Sequence, residues 1–310
     1  MLDRDSAVVN IPRGANVQQI GELLAGVGLV HRDFRFVLVT RAIGLAGRLP
    51  AGEFELTAGK NPVELLWQLS RARPLQHAVT IPEGLRATDI AEIFARDGWG
   101  DRKRFMELVA SPSFAESLKI TGVASLEGYL YPDTYYLIKA DYSAEKLIRM
   151  LVARFRQVYG QMAADYAGGL SRHEIVIMAS IVEKETGNPS ERPLIASVFL
   201  NRLKLRMRLQ SDPTVIYGIE NFSGNLTRKD LKTPSPYNTY VIPALPVGPI
   251  CNPGGDAIRA VFQPSQDKSL YFVSKNNGSH YFSKSLAEHN RAVYKYQKKR
   301  GKGEDSSDSD

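Results

Sequence analysis

The stretch "VVNIPRGANVQQIGELLAGVG" at 8–28 aligns without a gap on "AVTIPEGLRATDIAEIFARDG" at 78–98. Ile11/Ile81, Pro12/Pro82, Gly14/Gly84, Ile20/Ile90, Glu22/Glu92, Ala25/Ala95 and Gly28/Gly98 match at an offset of 81 − 11 = 70 residues. Each copy reads as a short strand, a Pro-x-Gly turn and an amphipathic helix that stops at glycine. A second helical stretch follows in each, at about 33–43 and 101–109. Each copy then closes on an extended aromatic segment, "PAGEFEL" (50–56) and "YPDTYYL" (131–137). Two strand–helix–helix–strand units, joined by a helix near 61–72, are the simplest reading. Chance similarity of two amphipathic helices is the alternative, and the gapless match through the turn favours duplication.

The remainder follows a different plan. Apolar residues at 147, 148, 151, 152 and 155 predict an amphipathic helix over 143–160. After the break "GGLSRHE", Ser171 and Glu174 form a capping box for a helix that Gly187 and Pro189 stop. "ERPLIASVFLNRL" is a second helix, "KLRMRLQSDPTVIYG" reads as extended, and "TPSPYNTYVIPALPVGPICNPG" as proline-rich loop. "SLYFVSKNNGSHYFS" predicts a hairpin around Asn-Gly, with a last helix in "SLAEHNRAVYKYQ". The fold class is therefore α+β, and 310 residues suffice for two or three compact units.

A net charge of +7 favours acidic partners, although part of it lies in the basic tail "KYQKKRGKG" (295–303). That tail and the acidic run after it read as disordered and solvated. In "RLKLRMRL" (202–209), Arg202, Lys204, Arg206 and Arg208 would share one strand face. A track for a polyanion is one reading; a half-buried edge strand with a solvated basic face is the other, and the preferred one. No aromatic platform or nucleic-acid module accompanies it, so nucleic acid is not an expected partner. Cys251 is the one cysteine, and His31, His77, His173, His280 and His289 are scattered. No disulfide, metal site or cofactor is expected. Neither a signal peptide nor an apolar run near the ~20 residues of a membrane helix occurs, so the chain as written reads as soluble.

Two glutamates in "IVEKETGNPSER" (181–192) pose the sharpest chemical question. Ile175, Met178, Ala179 and Val182 form an apolar stripe that Glu185 continues, while Glu183 lies about 200° away around the helix axis. Glu185 should then point where the core points, in the last helical turn. There the helix dipole and desolvation both raise a carboxyl pKa, which suits a general acid. The alternative is that both glutamates are solvated and paired with Lys184, Arg192 or Arg202.

"EGYLYPDTYYL" (127–137), then "EKETGNPSER", "VFLNRL", "RLQSDPTVIYG", "TPSPYNTY", "LPVGPICNPGGDAIRAVFQP", "LYFV" and "HNRAV" follow in order. Together, over about 8–296, they resemble the YceG-like family, the endolytic murein (lytic) transglycosylases. The resemblance implies that the catalytic acid/base is the glutamate before threonine, here Glu185, with Glu183 second choice. It implies that this carboxyl protonates the glycosidic oxygen between N-acetylmuramic acid and N-acetylglucosamine. It then deprotonates the muramyl 6-hydroxyl to give a 1,6-anhydro end. Gln210, Asp212 and Thr214, with Tyr237, Asn238, Thr239 and Tyr240, are expected to bind substrate through hydrogen bonds and aromatic faces. Asp212 could instead be a turn former or a second catalytic carboxylate, and "YNTY" a hydrogen-bonded strand entry; Glu127 and Asp133 are weaker candidates.

The implied organisation is LysM-like unit 1 (1–75), LysM-like unit 2 (76–142), a connecting helix (143–164), a catalytic domain (165–296) and a disordered tail (297–310). Peptidoglycan glycan strands are the expected partner, with cell-wall synthases (penicillin-binding proteins) beside them. The setting is extracytoplasmic, at the periplasmic face of the cytoplasmic membrane. The family's membrane anchor is missing from this chain, which would make it a truncated ectodomain. A hydrolytic muramidase is the rival enzyme, and a non-catalytic scaffold recruiting synthases is the rival from another class.

Overall fold

The computed structural model describes residues 5–139 and 142–298 and divides the chain into two compact units. The first comprises Met1–Thr80, Gly98–Gly100 and Thr134–Ser143. Here β1 (Ser6–Ile11) pairs antiparallel with β2 (Gly52–Thr57), from Ser6 opposite Thr57 to Ile11 opposite Gly52. Alternation along a strand sends Val9, Ile11, Phe54 and Leu56 inward and leaves Val8 and Glu55 outside. Between them lie α1 (Val17–Gly26), started by an Asn16–Gln19 capping box, and α2 (Arg35–Ala42). Asn61 caps α3 (Pro62–Arg71), whose Leu65, Leu66 and Leu69 close the core over Leu24, Phe54 and Leu56. A second ribbon in this unit pairs β3 (His77–Thr80) with β4 (Thr134–Leu137). The strands of the second repeat thus group with the first unit, and its helices with the second.

In the second unit, α4 (Ala87–Arg96) and α5 (Arg102–Val109) are followed by a short helix that the sequence pattern had not suggested, α6 (Pro112–Ser117). Ser111 caps it and proline fits its first turn, where no N–H is needed. The twenty-residue α7 (Ala144–Ala163) buries Leu147, Ile148, Leu151, Val152 and Phe155. Next comes α8 (Arg172–Glu185), capped by the predicted Ser171–Glu174 box. Every residue from Ile175 to Val182 is buried, so α8 is a central helix covered all round and not a striped surface helix. Helical phase therefore does not separate the two glutamates: the Glu183 side chain is only 6% exposed.

α9 (Arg192–Lys204) packs against α8 and ends later than a strand at 202–209 would allow. Arg202 is the reason. Its buried guanidinium donates to the carbonyls of Leu270 (2.6 Å), Leu209 (2.7 Å) and Arg208 (3.3 Å). The chain then turns with Arg206 at φ +56°, so the four basic residues share no strand face. "SDPTVIYG" is likewise not extended, since it forms α10 (Asp212–Tyr217). Within the proline-rich region the Asp230–Lys232 turn leads to α11 (Gly255–Phe262). The expected hairpin is β5 (Tyr271–Ser274) against β6 (His280–Ser283), followed by α12 (Leu286–Val293) and a π-type turn at Tyr294–Lys298. The rest of the predicted tail, 299–310, lies outside the described residues. Among the described residues no helix is long and apolar enough to cross a membrane.

The loop before α11 is knotted to two distant segments. Asn252 donates through Nδ2 to Leu85 O (3.0 Å) and Glu127 Oε1 (2.8 Å), and its Oδ1 accepts from Leu130 N–H (2.9 Å). Cys251 beside it is fully buried, its thiol 3.4 Å from Ser180 O. Gly128 makes the close approach possible. At φ +86°, an added Cβ would sit 2.5 Å from Pro249 Cγ and 2.8 Å from Val176 Cγ1. Gly128→Ala is expected to cost about 2 kcal/mol through backbone strain and overpacking, read as a lower urea midpoint with unchanged slope.

Candidate active site

Glu185 is the last residue of α8, where the helix stops because Thr186 adopts extended backbone. Its carboxyl meets the start of α10, where Ser211 Oγ–H donates to Glu185 Oε1 at 2.5 Å. Among the described residues, Oε2 has no protein hydrogen-bond partner. Burial pushes the Glu185 pKa up to about 7; the Ser211 bond opposes this, the Asp212 carboxylate adds to it and the Arg202 cation opposes it. A carboxyl so placed is available in both protonation states near neutrality, as an acid and base in turn requires.

The other expected residues fall into two groups. Asp212 is exposed at the head of α10, and its Oδ1 accepts the Tyr240 hydroxyl proton at 2.6 Å. That contact and burial raise the Tyr240 pKa, burial contributing most. Gln210 is exposed, with φ +51°, and its backbone N–H donates to Thr239 O. Tyr237 lies half-buried with its ring 4.7 Å from that of Tyr217.

Thr214, Asn238 and Thr239 differ from the expectation of a sugar-binding surface, for they are at most 1% exposed and face inward. Thr214 Oγ1 lies 2.8 Å from Thr239 Oγ1. Asn238 Nδ2 caps the Asp230–Lys232 turn on the carbonyls of Asp230, Leu231 and Thr233. Their polar atoms build the frame that holds the α10 start and the "YNTY" segment together. A single sequence displays hydroxyls and amides but not which way they face.

Glu183 has a structural environment of its own. Arg192 donates to its Oε1 at 2.8 Å and Gly254 N–H to its Oε2 at 3.0 Å. Burial raises its pKa despite both partners. Glu127 is also buried, accepting from Ala87 N–H at the head of α4 (3.1 Å), from Asn252 and from the Tyr217 hydroxyl (3.3 Å). Burial pushes it up to about 7, and its oxygens are engaged by protein. Asp133 pairs with Arg154 on α7 at 2.7 Å. Among the described residues no cluster of three His, Cys, Asp or Glu side chains could hold a metal ion.

Two contributors to the Glu185 environment differ from what the sequence leads one to expect. Ser211 lies in a segment that reads as extended; it stands instead at the N-cap of α10, and its side chain makes no capping bond. Arg202 reads as part of a solvated strand face or as an ion-pair partner of the glutamates; its buried guanidinium instead sits on backbone carbonyls and reaches Glu185 through its charge alone. A serine between the candidate residues Gln210 and Asp212 is the available signal; its bond to a residue 26 positions away is not in the sequence.

Residues 9–295 match the YceG-like family. An endolytic murein transglycosylase of Bacillus subtilis (strain 168) is 32% identical over 95% of this chain and 87% of its own length. A protein of the same name from Streptococcus pneumoniae serotype 2 is 31% identical over 92% of this chain, which spans 57% of that protein. The crystal structure of a yceG-like protein from Listeria monocytogenes superposes with a TM-score of 0.63 at 31% identity, covering 93% of this chain and 98% of that one. On these matches the chain belongs to the YceG-like family.

Proposed function

We propose that the protein is a peptidoglycan lytic transglycosylase that cuts glycan strands internally, with Glu185 as its one acid/base. The observation that carries this reading is the placement of that carboxyl: among the described residues one oxygen is held by Ser211 and the other has no protein partner, while burial pushes its pKa up to about 7. Protonated Glu185 gives its proton to the oxygen between N-acetylmuramic acid and N-acetylglucosamine as the C1–O bond breaks. The resulting carboxylate takes the proton of the muramyl 6-hydroxyl, whose oxygen bonds to C1. A 1,6-anhydro end and a free 4-hydroxyl result, Glu185 is protonated again, and no water enters. Asp212 and Tyr240 flank the carboxyl as candidate sugar contacts, with exposed Gln210 beside them.

The names of the Bacillus and Streptococcus relatives support this substrate class. Glycan strands lie outside the cytoplasm, so the site works there, and internal cuts behind a synthase would terminate strand growth. The two repeated strand–helix–helix–strand copies serve in this reading as LysM-like elements that hold the strand.

Asp212 favours a second reading, hydrolysis, because an exposed carboxylate next to the acid is where a water would be activated. Mass spectrometry of purified glycan strands digested by the full chain separates the two. Anhydromuramyl ends are the expected product; ends heavier by one water would identify a muramidase and overturn the proposal.

A further inference from the structure

We propose that Ser211 is a positioning residue for the acid/base, holding one oxygen of Glu185 and leaving the other for the substrate. The inference rests on the reading of Glu185 above and concerns a residue that contacts no sugar itself. Ser211 occupies the N-cap of α10, where a serine oxygen ordinarily accepts an N–H from the first helical turn. This one makes no such bond and donates to Glu185 Oε1.

Counting protons shows how the orientation is fixed. Thr214 Oγ1 donates to Ser211 O at 2.7 Å. A hydroxyl has one proton, so the 2.8 Å contact between Thr214 and Thr239 is donated by Thr239. Thr239 Oγ1 in turn accepts from Ser211 N–H at 3.0 Å. The bonds close a ring, from Ser211 N–H through Thr239 and Thr214 back to Ser211 C=O. All three residues are at most 1% exposed. The ring clamps the serine backbone on both sides, and the serine's own proton is the one left for the carboxyl.

As Glu185 passes its proton to the glycosidic oxygen, charge develops on the carboxylate and the Ser211 bond strengthens. The other charged or titratable groups acting on Glu185 are Arg202 from α9, Asp212 from α10 and Tyr240 from the following loop. None of them makes a hydrogen bond to the carboxyl among the described residues. Ser211 is thus the direct handle.

The test is Ser211→Ala in the full chain, read by a carbon-13 titration of the Glu185 carboxyl and by the pH–rate profile on glycan strands. Loss of the bond is expected to move the titration up by about one pH unit. The alkaline limb of the rate should follow, and kcat should fall about tenfold or more with KM little changed. Ser211→Thr keeps the hydroxyl and should restore both readouts. Thr239→Val, which opens the ring, should shift the titration in the same direction by less and serves if the alanine variant fails to fold. An unchanged titration overturns the proposal, as does a shifted titration with an unmoved rate profile. Full activity in Glu185→Gln would sink the catalytic reading alone, because the titration does not depend on turnover.

Discussion

Glu185→Gln is expected to lower glycan cleavage by about 10³-fold or more while the protein stays folded. Glutamine keeps the shape and can still accept from Ser211, but it can neither give nor take the proton. The same substitution should alter the pH dependence of stability. Glu185 has a folded pKa of about 7 against an ordinary 4.5, so between those values the folded state holds a proton that the unfolded chain has released. Its contribution is fully present below about pH 4.5, declines as pH rises through about 7, and is constant above. Glu127 has the same displacement and should keep its share of that slope in the variant. Denaturation midpoints at several pH values would show a shallower decline in Glu185→Gln than in the wild type. Retained cleavage, with anhydromuramyl ends, would rule Glu185 out as the acid.

Arg192→Leu should be strongly destabilising, costing about 3–5 kcal/mol near neutral pH. The Arg192 side chain is 8% exposed and its partner Glu183 6%, so removing the guanidinium strands a buried carboxylate. Gly254 N–H remains on the other oxygen but carries no full charge. The loss should shrink as pH falls and Glu183 takes up a proton, because a neutral carboxyl tolerates burial. Urea midpoints at about pH 5 and 8 would measure that difference, and Glu183→Gln on the same background should recover much of the loss at the higher pH. A cost below about 1 kcal/mol would mean that the pair behaves as a surface salt bridge.

Local signals were legible where neighbours in sequence decide the structure. The Ser171–Glu174 cap of α8 and the Asn-Gly hairpin of β5 and β6 both follow from a few adjacent residues. The paired copies predicted α1 and α4 at corresponding places, each beginning after a Pro-x-Gly turn. What was not legible depends on partners far along the chain. Arg202 belongs to a helix end because three carbonyls, one of them 68 residues away, receive its guanidinium. The alternating "RLKLRMRL" carries no trace of that.

The same limit explains the site. Phase placed Glu185 on an inward stripe, yet a helix buried all round admits Glu183 on equal terms. The two are told apart by company: Arg192 and Gly254 for one, and for the other Ser211 alone among the described residues. Thr214, Asn238 and Thr239 looked like sugar ligands by chemistry alone. Their burial makes them carpentry beneath the surface residues.

The sealed thiol of Cys251 gives the protein a clock of its own. It is the chain's one cysteine, and burial raises its pKa, so its reactive thiolate is suppressed in the closed state. A reagent can reach it only when the segment carrying Pro249 and Asn252 lifts away from α8. The pace of alkylation therefore reports how often that segment opens, with complete unfolding setting the slowest limit. No engineered label is needed to follow the stability of the loop tied to Glu127 and Gly128.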